Sequence, residues 1–77
     1  SIYTILRDEP GVLAGFISSL HSLNANILTV NQSIPVDSVA SVTISLRLTE
    51  DTQDVMTIKN ILSKLKGVVE LKIISGE

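Results

Sequence analysis

The residues best suited to chemistry lie in one stretch, Arg7 to Leu13, where two carboxylates precede a Pro-Gly pair. Pro10 is predicted to open a helix, because the first helical position leaves an N–H unpaired and proline has none. Glycine at position 11 lets another group approach the backbone closely. The N–H groups of a helix start can then hold an anion such as a carboxylate. An ordinary helix start explains the same residues, and the sequence leaves the two interpretations equal.

The other reactive side chains do not form a catalytic constellation. His21 is the single histidine, and the serines around it lack the orienting carboxylate and oxyanion site of a catalytic triad. Asp8 and Glu9 are adjacent in sequence and diverge in direction, which favours helix-start charges over an acid–base pair. The chain has no cysteine, which excludes a thiol nucleophile and a thiolate metal site. We therefore predict that the chain is not an enzyme and has no catalytic residue, metal or cofactor.

Size and composition limit the remaining possibilities. A chain of 77 residues holds one small domain, which is marginally stable alone and benefits from self-association. A net charge of -2 with one Tyr and one Phe argues against nucleic acid as the partner. No apolar run approaches the roughly 20 residues of a membrane span, so no membrane partner and a cytoplasmic location are expected. Because the sequence starts at Ser1 and runs straight into a strand pattern, we expect a fragment of a longer chain.

Hydrophobic periodicity predicts six elements. A short strand ends near Leu6, and a helix follows Pro10 and ends at Asn24 to Asn26. A second strand covers 27–34, with Leu28 and Val30 on one face and Ile27 on the other. The turn 35–38 has proline first and leads to a strand over 39–49. A second helix starts near 50–52, with Asp51 or Thr52 as its cap, and a strand over 68–74 follows.

This element order predicts the fold. The order β-α-β-β-α-β is that of the ferredoxin-like arrangement, an α+β fold. Right-handed crossovers place both helices on one face of a four-stranded antiparallel sheet. The second and fourth strands become its edges, and the edge of strand two is predicted to pair with a second copy in a homodimer.

Two motifs resemble those of a known family, the ACT domain. Arg7-Asp8-Glu9-Pro10-Gly11-Val12-Leu13-Ala14-Gly15 resembles the ACT signature, in which polar residues precede Pro-Gly and a small hydrophobic pair. Leu23-Asn24-Ala25-Asn26-Ile27 resembles the Gly-x-Asn-Ile element of that family, with Asn24 where Gly is usual. Glu9 replaces a commoner basic or polar residue. The resemblance covers 1–77 and implies a single ACT domain.

The resemblance implies an amino-acid-binding regulatory module with its site at a dimer interface. Asp8 would accept a hydrogen bond from the ligand ammonium, and the N–H groups at 11–13 would hold its carboxylate. Phenylalanine or another hydrophobic amino acid is the candidate effector, and a ligand-free oligomerisation domain is the alternative. By motif position the ligand-binding residues are Asp8, Pro10, Gly11, Val12 and Leu13 from the loop, with Asn26 and Ile27 from the start of strand two.

A closer similarity is seen over 26–35 and 40–45, which resemble the C-terminal half of a small bacterial ACT protein often labelled chorismate mutase. Chorismate is a dianion whose rearrangement needs converging cationic groups. The two arginines do not converge, and Lys59, Lys64, Lys66 and Lys72 are expected to lie away from the loop. We predict no mutase activity for this chain. A third possibility is a regulatory part of an enzyme of aromatic biosynthesis whose catalytic residues lie partly elsewhere.

Overall fold

The computed structural model describes residues 1–74 and confirms the ferredoxin-like βαββαβ fold. Its elements are β1 (Ile2–Arg7), α1 (Val12–Ser22), β2 (Asn26–Gln32), β3 (Val39–Arg47), α2 (Val55–Ser63) and β4 (Val68–Ile73). The sheet order is β2-β3-β1-β4 and all three pairings are antiparallel. β2 and β4 are therefore the edges, as the element order predicts.

The core lies between the two helices and one face of the sheet. Alternation along the central strand β1 buries every second side chain, and the matching residues of β3 are buried opposite them. Thr4 is the one buried polar side chain in the described residues, and its hydroxyl donates to the Glu70 carbonyl at 2.7 Å. The largest buried side chains are Ile2, Phe16, Leu20, Val42, Ile44 and Leu62.

The prediction that Pro10 occupies the first helical position is wrong. α1 begins at Val12, and Gly11 caps it with φ 84°, in the left-handed region. A residue with this φ cannot be part of a right-handed helix, so the helix starts two residues after Pro10. The Val12 N–H donates to the Glu9 carbonyl at 3.2 Å, which closes the turn before the helix.

The cap of α2 also differs from the prediction. Asp54 caps the helix, and its Oδ1 accepts the Thr57 N–H at 2.8 Å. Thr52 instead ties two loops together: its hydroxyl accepts the Thr49 N–H and donates to the Asn24 carbonyl, both at 2.8 Å. Asn24 has φ 64°, which asparagine tolerates, and its Nδ2 donates to the Asp51 carbonyl at 3.1 Å. Asparagine at this position therefore supplies a loop contact that glycine cannot make.

The Asp54 cap should make the stability of the domain sensitive to acid. The pKa of Asp54 lies below its ordinary value. The main cause is the hydrogen bond that Asp54 accepts from the Thr57 backbone N–H, followed by a hydrogen bond from the Thr57 side chain. A depressed pKa means that the cap stabilises the fold fully above the unfolded-state pKa and is lost as the pH falls through the folded-state pKa. We expect the Asp54→Ala variant to have a lower free energy of unfolding than the parent at neutral pH. On acidification, its free energy of unfolding should fall by less than that of the parent. Urea unfolding at a series of pH values measures this.

Asp54→Asn is the matched control for that variant, because asparagine also caps helices but does not titrate in this range. It should keep most of the stability at neutral pH and show the same flattened acid response as Asp54→Ala. An acid response equal to that of the parent in both variants would assign the pH dependence to other carboxylates.

The prediction that Ile27 and Val30 lie on opposite faces of β2 is wrong, because the strand contains a bulge. Ile27 pairs with Leu46 and Val30 with Ile44, and the register shifts between Ile27 and Thr29. Residues that pair directly across a sheet share a face. Ile44 is in the core and Leu46 packs against it, so Ile27 and Val30 both lie on the helix-covered side. The extra residue in the bulge breaks the strict alternation that the sequence suggests. Ile27 consequently packs against the core rather than on the open face.

Candidate functional site

Three connections meet where β1 ends and α1 begins, a region we call the loop end. The Asp8 N–H donates to the Ser38 carbonyl at 2.8 Å, and the Arg7 N–H donates to the Gly67 carbonyl at 2.8 Å. The loop after β1 is thus held between the β2–β3 turn and the α2–β4 turn. Sequence reasoning identified the loop but not the two turns that fix its position.

The β2–β3 turn is tighter than predicted. Asp37 and Ser38 have φ 53° and 67°, and Val36 and Val39 exchange two backbone hydrogen bonds of 2.9 and 3.1 Å around them. This is a two-residue hairpin turn with two left-handed residues, as in type I′ turns, and not a turn that starts on Pro35. Its carbonyl at Ser38 is the group that accepts the Asp8 N–H.

A cavity of about 260 Å³ opens at the loop end between the start of α1 and the end of α2. An ideal Cβ on Gly11 would meet no atom within 4 Å, so open space lies beside this backbone. No side chain in the described residues makes a capping hydrogen bond at the N-terminus of α1. The predicted residues Pro10, Gly11 and Val12 line this cavity, together with Gly15, Phe16, Leu65 and Lys66.

Lys66 is a site residue that the sequence analysis placed wrongly. It lines the cavity beside Pro10 and Gly11, whereas all four lysines were expected away from the loop. The element order contains the signal: α1 follows β1 and α2 follows β3, and these two strands run antiparallel. The two helices therefore also run antiparallel, and the end of α2 lies beside the start of α1. The side chains of Arg7, Lys66, Asp8, Glu9 and Asp37 are all exposed at the loop end, which therefore carries charges of both signs.

The predicted loop residues differ in what they offer a ligand. Val12 is buried in the core and its N–H is bonded to Glu9, so neither its side chain nor its amide points freely outward. Leu13 is half-buried and packs against the core. Of the predicted loop residues, the exposed ones are therefore Asp8, Pro10 and Gly11.

Asn26 and Ile27 lie at the opposite end of the domain, which we call the far end. Asn26 pairs with Arg47, the last residue of β3, whereas Arg7 pairs with Val39, the first. The 11 residues of α1 span the distance between the two ends, roughly 16 Å at about 1.5 Å per residue. One copy of the chain therefore does not bring the two predicted groups of site residues together.

The described residues hold neither a cluster of metal ligands nor a helix that could span a membrane. Across residues 1–74, no cluster of three or more metal-ligating side chains is arranged around a common point. Neither α1 nor α2 has the length and apolar character needed to cross a membrane, and the described residues contain no other helix.

Comparison with known proteins identifies relatives by name. An ACT domain-containing protein of Caldicellulosiruptor saccharolyticus is 37% identical over 73 residues, which cover 95% of this chain and 49% of that protein. One of Clostridium botulinum is 33% identical over 73 residues, with 95% and 50% covered. One of Acetivibrio thermocellus is 30% identical over 77 residues, with 100% and 52% covered. These similarities support an ACT domain.

The ACT resemblance of the two sequence motifs thus agrees with the names of the relatives. The chain spans about half the length of these ACT proteins. Their names give no support to the chorismate mutase resemblance. No protein-family model matches the chain.

Proposed function

We propose that this chain is a regulatory ACT domain of a longer protein, and that it binds a small amino acid in a site shared by two copies. The observation that carries the proposal is the loop-end cavity, where open space beside Gly11 adjoins Lys66 and a helix start at which no described side chain makes a capping hydrogen bond. Asp8 lies in the same loop. A cation and an anion beside a helix N-terminus suit a zwitterion.

Each charged group of the ligand has a partner in this arrangement. The N–H groups at the start of α1 and the Lys66 ammonium would hold the carboxylate, because the helix N-terminus and a lysine both favour negative charge. Asp8 would accept hydrogen bonds from the ligand ammonium. Glu9 adds negative charge near the carboxylate position, and Lys66 offsets that charge.

A second copy would complete the site. β2 has β3 on one side only, so its other edge can pair with β2 of another chain. Antiparallel pairing about a two-fold axis places the loop end of each copy beside the far end of the other. Asn26 of the second copy would then reach a ligand bound at Gly11, and its amide can donate or accept. The separation of the two residue groups within one chain supports this shared site.

The cavity walls favour a hydrophobic amino acid such as phenylalanine. Phe16, Leu65 and Pro10 give the cavity apolar sides, and two glycines keep its rim open. Regulation would follow from linkage: a ligand that binds only between two copies stabilises their association, and the rest of the longer protein responds to that association.

Calorimetric titration of the chain with a panel of amino acids tests the proposal. We expect saturable binding of one hydrophobic amino acid, and Lys66→Gln should weaken it by about tenfold or more, since a hydrogen bond to a charged group contributes roughly 1.5–3 kcal/mol. Lys64→Gln is the matched control, because Lys64 is exposed two residues earlier and does not line the cavity. A well-folded dimer that binds none of the panel would instead support ligand-free oligomerisation.

Mixing two inactive variants tests whether the site is shared. Gly11→Asn tolerates a left-handed φ but places a side chain in the open space, and Asn26→Ala removes the second-copy amide. Each variant alone should lose binding. In their mixture, a heterodimer holds one intact site, so binding should return at about one quarter of the sites. No recovery on mixing, with dimers present, would mean that each copy binds by itself or not at all.

A further inference from the structure

A second, larger cleft opens at the far end of the domain, between the sheet and the start of α2. Its volume is about 430 Å³. Leu28, in the bulge of β2, and Leu48, just after β3, form its outer lip and are 52% and 47% exposed. Its inner walls are also apolar and come from four elements: Ile2, Leu46, Val55, Ile58 and Ile73. Arg47 also lines the cleft.

The β2–β3 hairpin at the loop end has the complementary character. Ile34 is 85% exposed, the highest value among the large hydrophobic residues of the described chain. Val36 is 66% exposed, and only Met56 equals it. The hairpin is held by the tight turn at Asp37 and Ser38 and by its bond to the loop after β1. It therefore presents an apolar tip on a fixed backbone, with the negative charge of Asp37 beside it.

We propose that, in a dimer paired through β2, the hairpin tip of each copy docks on the far-end cleft of the other, with Ile34 at the side of the cleft formed by Leu48. This rests on the strand pairing of the proposed function and adds a contact to it. An axis at Thr29, the middle of β2, sets Ile34 of one copy opposite Asn24 of the other. Asn24 lies two residues before the start of β2, at the far end, close to the Asn26–Arg47 pair that Leu48 follows.

Two observations favour a second copy as the occupant. The cleft and the tip are both apolar and lie at the two ends of the same edge strand, so the symmetry that pairs β2 brings each tip to a cleft. The paired edge alone is one strand of seven residues, about 23 Å long and roughly 5 Å wide, which is a small area beside the roughly 1,200–2,000 Å² of a stable interface. Two apolar contacts would extend it.

Cysteine cross-linking between copies tests the contact directly, because the chain has no native cysteine. We expect an equimolar mixture of Ile34→Cys and Leu48→Cys chains to form a covalent dimer under mild oxidation. Each variant alone should not, since a disulfide needs Cα atoms within about 7 Å and the symmetric positions lie at opposite ends of the interface. Val69→Cys is the control partner, because Val69 is equally accessible on the other edge strand.

The outcomes separate the inference from the proposed function. A dimer in solution that gives no mixed cross-link overturns the hairpin contact and leaves the strand pairing standing. A chain that is monomeric at all concentrations removes the pairing, and the contact with it. Cross-linking that is equal with Val69→Cys would reflect random collision and would also overturn the contact.

A charge exchange supplies a second readout that needs no disulfide. Ile34→Glu should raise the dimer dissociation constant by at least about tenfold, because the glutamate would bury an unpaired charge against Leu48 of the other copy. Mixing it with Leu48→Lys should recover part of the affinity. Ile34 is exposed in the single copy, so the fold itself should be unaffected, and the far-ultraviolet circular dichroism of each variant checks this. An unchanged dissociation constant for Ile34→Glu contradicts the contact.

Discussion

Replacing Gly67 with alanine should lower the free energy of unfolding by about 2–5 kcal/mol. Two costs combine in this estimate: a left-handed conformation costs a residue with a Cβ roughly 1–2 kcal/mol, and overpacking a filled core costs about 1–3 kcal/mol. Gly67 has φ 88°, and an ideal Cβ on it would lie 2.7 Å from both methyl carbons of Val12. Val12 is buried, so it has little room to move. Urea denaturation at fixed protein concentration measures the loss.

Two companion variants separate these costs. Gly67→Asn accepts the left-handed conformation but still adds a Cβ, so its loss should come mainly from the overlap with Val12. Val12→Ala in the Gly67→Ala background removes the overlap and leaves the backbone cost, so the two changes should be non-additive. Additive losses would mean that the two residues are not in contact.

Gly15 provides the matched control for the glycine substitution. It lies within α1, and an ideal Cβ there would meet nothing within 4 Å. Gly15→Ala should therefore stabilise the domain by roughly 0.5–1 kcal/mol, because alanine is the better helix former. Destabilisation by both glycine changes would contradict the close approach at Gly67 as the cause.

Replacing Phe16 with alanine should cost about 3–5 kcal/mol, the range for large-to-small changes of a buried aromatic. Phe16 is 1% exposed and contributes to the core and to the wall of the loop-end cavity. A domain of this size has a total stability of about 4–12 kcal/mol, so the loss is a large part of the whole. The midpoint of urea unfolding should fall steeply, with binding of any amino-acid ligand weakened as well.

Met56→Ala is the control for the loss of a large apolar side chain. Met56 is 66% exposed on α2, so its truncation should change the free energy of unfolding by less than about 0.5 kcal/mol. Phe16→Leu should lie between the two, since it keeps most of the buried volume. Equal losses for Phe16→Ala and Met56→Ala would place Phe16 outside the core.

The fold was predictable because its signals are local. Alternation along β3 marks one buried face, and the spacing of Phe16 and Leu20 marks the buried stripe of α1. Element order and crossover handedness then leave few arrangements. The edge position of β2 follows from the same rules, and the structure has it there.

The errors concern features that depend on contacts between distant segments. The bulge at Leu28 shifts the register of β2, and a shift of one residue changes the face of each side chain beyond it. Asp51, Thr52 and Asp54 are all good capping residues. The hydroxyl of Thr52 bonds to the distant Asn24 carbonyl, and Asp54 caps the helix.

The candidate site was predictable only in part. The Pro-Gly pair at the loop end was visible in the sequence, whereas Lys66 joins the cavity through the packing of α2 beside α1. No periodic pattern relates Lys66 to Pro10, since 55 intervening residues separate them in the chain. The roles of Asp8, Gly11 and Asn26 in ligand binding stay predictions, and the titration and mixing experiments address them.

The loop end and the far end lie at opposite ends of α1, and this has a consequence for how such a domain would respond to the concentration of its ligand. If each copy contributes half of every site, occupancy depends on two chains meeting as well as on the amount of amino acid present. At low protein abundance the response would require more amino acid, and at high abundance less, so synthesis of the protein would set its own detection threshold. Joining two copies by a linker would replace that dependence with a fixed effective concentration.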